Sequence, residues 1–276
     1  MSRRRRLMQA CVVILLIPGM MMIFFPMYLT ITNSMKTTQE SGSNFFSLPS
    51  TFNVSNFRTV LEKNNFFLYV LNTTLIVVFT IPIELLISPL TGYCIQRNKD
   101  SHYFKFLYAF IVSGIFVPFQ ARMVPLVQMM SKLTLMNKMG MVLLYCACTA
   151  PPAVFLVNNA CKSISLEIEE AAIIDGCSPV KTYFYIILPL LKPILSTLLI
   201  KDALFIWNDF QLPLIMLNRS SQLWTLQLFQ YNFKTQYQYD YNLAFASFLM
   251  TMLPIIVLYL FMQRNFVAGL ASGAIK

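Results

Sequence analysis

Glu170–Pro189 reads EAAIIDGCSPVKTYFYIILP, a polar island set between long apolar runs. Ser165 stands before it, followed by Leu166, Glu167, Ile168, Glu169 and Glu170. A hydroxyl at a helix start caps free N–H groups, and acids there favour the positive end of the dipole. Ser165-x-x-Ile168 is not a capping box, which leaves the boundary soft. A short helix is expected to run to about Ile174. Asp175-Gly176 ends it, because glycine takes a left-handed conformation freely. Ser178-Pro179 opens a second helix, with serine as cap and proline in the first helical position, and that helix runs through Thr182–Ile187 into Pro189. The expected product is a helix–turn–helix at a membrane surface, where Ala171 and Ala172 give a small, smooth face able to enter a groove. Such a hairpin could instead lie flat on lipid. Glu167, Glu169 and Glu170 argue against that, because the inner leaflet is negative.

The membrane follows from composition. The chain has 276 residues, 57% hydrophobic and 12% charged, with a mean hydropathy of +0.62; a soluble domain usually carries about twice that share of charge. Six apolar segments, about 8–32, 68–95, 105–126, 139–160, 187–209 and 243–262, each approach the roughly 20 residues a helix needs to cross a bilayer. The expected fold is therefore all-α and polytopic, one transmembrane domain over 1–276. Prolines at Pro82, Pro89, Pro118, Pro125, Pro189 and Pro193 interrupt three of the segments, and neighbours in a bundle can re-satisfy the freed carbonyls. The apolar run from Leu7 to Leu29 is too long for a secretory h-region of about 7–15 residues, so it reads as a retained first helix. Arg3–Arg6 place the N-terminus on the cytoplasmic side, and six spans return the C-terminus there. The outer segments become 33–67, 127–138 and 210–242, where Lys36, Lys63, Lys132, Lys138, Arg219 and Lys234 blur the charge bias. The net charge of +10 is thus a topology signal rather than a nucleic-acid footprint.

Several chemistries are excluded. Cys11, Cys94, Cys146, Cys148, Cys161 and Cys177 fall in apolar or inner segments, so no disulfide framework is implied. His102 is the one histidine and cannot supply a paired metal site. Scattered carboxylates offer no acid/base constellation, which speaks against an enzyme. No G-x-x-x-x-G-K-[ST] loop occurs, so the chain cannot itself cradle nucleotide phosphates.

Further motifs accompany the island. After Glu170-Ala171-Ala172 come Gly176, Ile186 and Leu188-Pro189 at fixed spacing. Val117-Pro118-Phe119-Gln120, Val124-Pro125-Leu126, Trp207-Asn208-Asp209-Phe210, Pro213-Leu214 and a C-terminal Gly269-Leu270-Ala271-Ser272-Gly273-Ala274-Ile275-Lys276 complete the pattern. With these, nearly the whole chain resembles the carbohydrate-type permease subunits of binding-protein-dependent ABC importers, similar to the second permease of maltose and multiple-sugar systems. The resemblance implies that 163–186 is the cytoplasmic EAA coupling loop. Glu170, Ala171, Ala172, Asp175, Gly176, Leu188 and Pro189 would then couple to an ATPase, with Glu170 facing basic residues and Gly176 forming the bend. The tail 263–276, through Gly269, Gly273 and Lys276, would reach the ATPase dimer interface; a helix-dimerisation reading of Gly269-x-x-x-Gly273 is weaker because it lies beyond the last span. The resemblance also implies a bacterial cytoplasmic-membrane protein with no cofactor of its own. ATP and magnesium would sit in two partner ATPase subunits, beside a second homologous permease and an extracytoplasmic solute-binding protein, with a sugar or oligosaccharide as cargo. Importers of other solutes carry the same loop, and an ATP-independent transporter or channel is the reading from another class.

Charges at membrane depth are suspects for the transport path. Glu84, Lys201, Asp202 and Asp209, with the adjoining Asn208, qualify; the resembled family usually has apolar or aromatic residues near 201–202. An interior ion pair, such as Lys201 with Glu84, is the structural alternative. Tyr231, Phe233, Tyr237, Tyr239 and Tyr241 crowd the last outer segment. They suit either an interfacial aromatic belt or, for Tyr231 and Phe233, contact with a binding protein or its sugar.

Overall fold

The structure, a computed structural model, describes residues 3–63, 65–236 and 240–274. It is helical, with no strand among the described residues. In chain order the α-helices are α1 (Arg3–Ser34), α2 (Thr38–Ser43), α3 (Ser55–Lys63), α4 (Phe66–Arg97), α5 (His102–Ser113), α6 (Phe119–Lys132) and α7 (Lys138–Cys161). There follow α8 (Leu166–Ile174), α9 (Pro179–Thr182), α10 (Leu188–Leu190), α11 (Lys192–Asn208), α12 (Gln211–Leu217), α13 (Leu226–Gln236) and α14 (Tyr241–Ala274). Leu16–Ser34, Phe66–Arg97 and Lys138–Cys161 are each long and apolar enough to cross a membrane.

Two of the expected spans are not straight. Residues 102–116 and 119–132 meet at 105°. Pro118 disfavours the helical region for the residue before it, and Val117 is extended at φ −82, ψ 111; the chain turns there and Pro118 becomes the cap of α6. Residues 179–190 and 192–208 meet at 72°. Here Pro189 and Pro193 flank Leu191, each lacking a donor and crowding the carbonyl four residues back. Pro82 and Pro89, in contrast, sit inside an unbroken α4, and Pro151 and Pro152 inside α7. The outer segments expected as loops hold α2, α3, α12 and α13, and the expected tail continues as helix to Ala274.

The contacts group the chain into two compact units, residues 1–67 with 229–254 and residues 68–228 with 255–276. The first is organised by polar side chains at the end of α1. Lys36, expected at an outer surface, is fully buried. Its Nζ donates to the carbonyls of Asn44 at 2.9 Å and Ser47 at 2.6 Å, with that of Phe45 at 3.4 Å. A buried ammonium needs such partners. Asn56 Nδ2 donates to the carbonyls of Ser34 and Lys36, both at 2.9 Å, and Asn242 Nδ2 reaches the carbonyl of Asn33 at 2.6 Å. Further out, Glu40 accepts the Ser50 N–H at 2.6 Å, and this hydrogen bond holds its carboxyl below the usual range.

In the second unit, Ile76, Met141, Tyr145, Ile206, Met216 and Leu228 form one core, and Val157, Cys161, Tyr183, Ile187 and Leu198 another. Asn72, fully buried, donates from Nδ2 to the carbonyls of Gln222 at 3.0 Å and Trp224 at 2.9 Å and accepts from Lys138 Nζ at 3.0 Å. At Gly92, α4 touches α7 so closely that a Cβ would lie 2.9 Å from the Val157 side chain and 3.1 Å from the Asn158 nitrogen.

Two outcomes are expected in the first unit. Lys36→Met strands buried carbonyls, and a buried polar group left unsatisfied costs about 1–3 kcal/mol; a lowered thermal midpoint in detergent checks this. The contribution of Glu40, whose carboxyl is depressed, is present above the ordinary value of 4.5 and is lost as pH falls through the lowered one. Hydrogen exchange at Ser50 should therefore accelerate, relative to neighbouring amides, only in acid, and Glu40→Gln should abolish that pH dependence.

Candidate functional site

The hairpin of 165–187 is built by local chemistry. Ser165 is extended at φ −60, ψ 142, and its hydroxyl accepts the Glu167 N–H at 3.2 Å. At the far end of α8 the Cys177 N–H reaches the Ala172 carbonyl at 2.9 Å and the Gly176 N–H the Ile173 carbonyl at 3.0 Å. These two bonds form the Schellman stop, which requires a left-handed residue between them; Gly176, at φ +83, supplies it. Ser178 then accepts the Lys181 N–H at 3.4 Å, and Pro179 opens α9. Tyr183–Ile187 widens into a π turn before α10. Pro189 has no N–H to continue a regular ladder, and such a widening is one way to accommodate that.

An ionic clasp seats the hairpin. Glu169 Oε1 accepts Arg97 Nε at 2.6 Å, and its Oε2 accepts the Tyr93 hydroxyl at 2.8 Å. Arg97 also donates from Nη1 to the Cys161 carbonyl at 3.3 Å and from Nη2 to the Ile164 carbonyl at 3.1 Å. Its guanidinium carbon lies 5.7 Å from the centre of the Tyr93 ring. Both charged side chains are nearly enclosed, 13% and 12% exposed. By sequence alone Glu169 is an acid at a helix start, and its partner is not evident. The one available hint was Tyr93 four residues before Arg97, on the same helix face.

The clasp decides which side of α8 faces out. Glu170 and Ala171 are exposed, as are Leu166, Ile168, Ile173, Ile174, Val180 and Tyr185. Ala172 is buried, which corrects the expected two-alanine face: adjacent residues on a helix point about 100° apart, and the inner one packs at the base. Asp175 and Gly176 are exposed at the turn, Leu188 is half-buried and Pro189 exposed.

The charges at membrane depth are arranged differently from the expected pair. Lys201 Nζ contacts Oδ1 of its own neighbour Asp202, not Glu84. The long lysine stem lets the ammonium bend back along α11 while Asp202 is 1% exposed. Glu84, also 1% exposed, adjoins the Asp202 carboxyl. Asp209 is engaged structurally: its Oδ2 accepts the Tyr145 hydroxyl at 2.9 Å and its Oδ1 the Gln211 N–H at 2.9 Å, capping the start of α12. Asn208 is exposed and donates to the Leu204 carbonyl at 2.9 Å. Tyr231 and Tyr241 are exposed. Tyr237, Tyr239 and Lys276 lie outside the described residues, and for Phe233, Gly269 and Gly273 only helical backbone is described. Among the described residues no group of three His, Cys, Asp or Glu could hold a metal ion.

The chain matches the model of the family described as "Binding-protein-dependent transport system inner membrane component" over residues 61–272. It is 39% identical over 260 residues to the multiple sugar-binding transport system permease protein MsmG of Streptococcus mutans, covering 94% of each chain. To the melibiose/raffinose/stachyose import permease protein MelC of Bacillus subtilis it is 32% identical over 255 residues, covering 92% of this chain and 91% of the other. A solved bacterial ABC transporter involved in import of the acidic polysaccharide alginate matches with a TM-score of 0.84 at 21% identity, over 96% of this chain and 99% of that one. A bacterial alginate ABC transporter in complex with an alginate pentasaccharide-bound periplasmic protein matches at 0.73 and 15% identity, over 94% and 93%. At such identities the two structures speak for the fold. The family match runs across α4–α13, hairpin included, and the chain belongs to the binding-protein-dependent transport system inner membrane components, multi-pass transport permeases rather than enzymes.

Proposed function

We propose that this chain is the permease subunit of an ATP-driven importer of sugars or oligosaccharides, and that the 165–187 hairpin is its docking piece for an ATPase. The observation that carries the reading is the outward face of the hairpin. Leu166, Ile173, Ile174 and Val180 leave apolar surface uncovered beside the exposed carboxylate of Glu170. Apolar anchors flanked by a charge are what a protein partner's groove takes up. The chain holds no phosphate-binding loop, so ATP and magnesium belong to two partner ATPase subunits, and this chain needs no cofactor. The printed functions of the relatives, multiple sugars and melibiose/raffinose/stachyose, support a sugar cargo. The alginate complex with its periplasmic protein supports an extracytoplasmic solute-binding partner, with a second, homologous permease completing the pore. Arg3–Arg6 favour cytoplasmic termini, which puts the hairpin on the ATPase side.

The mechanism is alternating access by rigid-body motion. ATP closes the ATPase dimer, the two docked hairpins are drawn together, the helices open outward to receive cargo, and hydrolysis resets them.

Two outcomes test this. Tagged chain purified from its native membrane should bring an ATPase and a second permease with it, and Glu170→Lys should lose the ATPase; a wild-type chain that purifies alone refutes the reading. Gly176→Val places a β-branched residue at φ +83, where an ordinary side chain costs about 1–2 kcal/mol, while a Cβ there meets nothing within 4 Å. Uptake should fall strongly with the chain still folded and inserted, which parallel uptake and size-exclusion measurements will show.

A further inference from the structure

We propose that Arg97 is the transmission residue of this permease: it fastens the hairpin to the end of α4 and to the end of α7, so that displacement of the hairpin is delivered into those two helices. The inference rests on the docking role proposed for the hairpin and names the route by which the motion leaves it.

The geometry gives Arg97 contacts to two further elements at once. It stands at the last position of α4, and its guanidinium donates to Glu169 in α8, to the carbonyl of Cys161 that ends α7, and to the carbonyl of Ile164 in the link between them. Arginine alone among side chains offers five donors in a rigid planar fork, and here the fork is held against the Tyr93 ring. Tyr93, one turn earlier on α4, takes the second Glu169 oxygen, so both oxygens of that carboxylate are bound from one helix. Enclosure makes the pair stiffer than a surface ion pair, which solvent screens to almost nothing. The two helices receiving the load are themselves joined where Gly92 meets Val157 and Asn158. An element pushed at Glu169 therefore moves a joined pair.

The other arm of the hairpin is held by packing rather than by charge. Between Thr182 and Lys192 the chain passes through a π turn and then a 72° change of direction before α11 begins. Breaks of this kind are where helices bend. Tyr183 packs on Tyr93 with ring centres 5.1 Å apart and ring planes tilted by 43°, an apolar contact and not an ionic link. The ionic path from the docking surface is thus α8 to α4 and α7, while the second arm meets α7 and α11 through the buried Tyr183, Ile187 and Leu198.

The test uses the whole complex with Arg97→Met, which keeps length and removes the fork, and Tyr93→Phe, which removes one hydrogen bond. Three quantities are read: ATPase subunit retained on purification, ATP hydrolysed, and cargo taken up. Arg97→Met should retain the ATPase and its hydrolysis while uptake falls roughly ten- to hundredfold, the usual size of a coupling between two sites; Tyr93→Phe should show the same split, more weakly. Hydrogen exchange over residues 166–177 of the purified chain should rise in both variants. Parallel loss of ATPase and uptake in both variants makes Arg97 a folding residue only and overturns the inference, as does wild-type uptake with unchanged exchange. A wild-type chain that carries no ATPase refutes the docking reading instead, and the exchange measurement on the chain alone then still decides whether the clasp holds the hairpin.

Discussion

A backbone amide inside hydrocarbon has no water to bond, so each must be satisfied within its own helix or by a neighbour. This constraint orders the rest of the molecule. It makes the long helices α4 and α7 continuous through their prolines, and it confines true changes of direction to places where side chains or adjoining turns take over the freed groups. Pro118 turns the chain and then caps α6; Pro189 and Pro193 turn it again between the hairpin and α11. The hairpin inherits its position from that second turn, and its orientation from the ion pair of Arg97 with Glu169 that reaches it from α4.

The hairpin was legible because its structure is set by nearest neighbours. Ser165 and Ser178 cap, Pro179 starts, Gly176 stops, and each acts within a few residues, so local rules suffice. The apolar segments were legible for the same reason. What the sequence withheld depends on distance along the chain. Arg97 and Glu169 are 72 residues apart, and nothing in either neighbourhood names the other. Which prolines bend a helix is decided by what packs around them, so Pro82 and Pro118 look alike in a list of residues. Ala171 and Ala172 were treated as one face, although the side that packs is fixed only when the base of the bundle is known. The Lys201–Glu84 pair, one of two alternatives, does not form, because a flexible stem lets the ammonium reach the adjacent Asp202.

The candidate transport-path residues divide by how they are used. Asp209 is spent on Tyr145 and on the start of α12, which gives the Trp207-Asn208-Asp209 segment an architectural task. Glu84 and Asp202 are enclosed side by side on α4 and α11. Charges so placed are expensive in a bilayer and tend to mark function.

Lys36 carries a consequence of another kind. Its ammonium is held by peptide carbonyls, which neither ionise nor exchange partners with dissolved ions, and it is sealed from solvent. Salt weakens attractions between exposed charges over about 10 Å at ordinary ionic strength, but it has no access to this one. The turn that follows α1 is therefore insulated from the ionic strength around it. The geometry at the end of α1 should thus be indifferent to ionic strength, whereas the exposed Glu40–Ser50 bond beyond it is lost in acid.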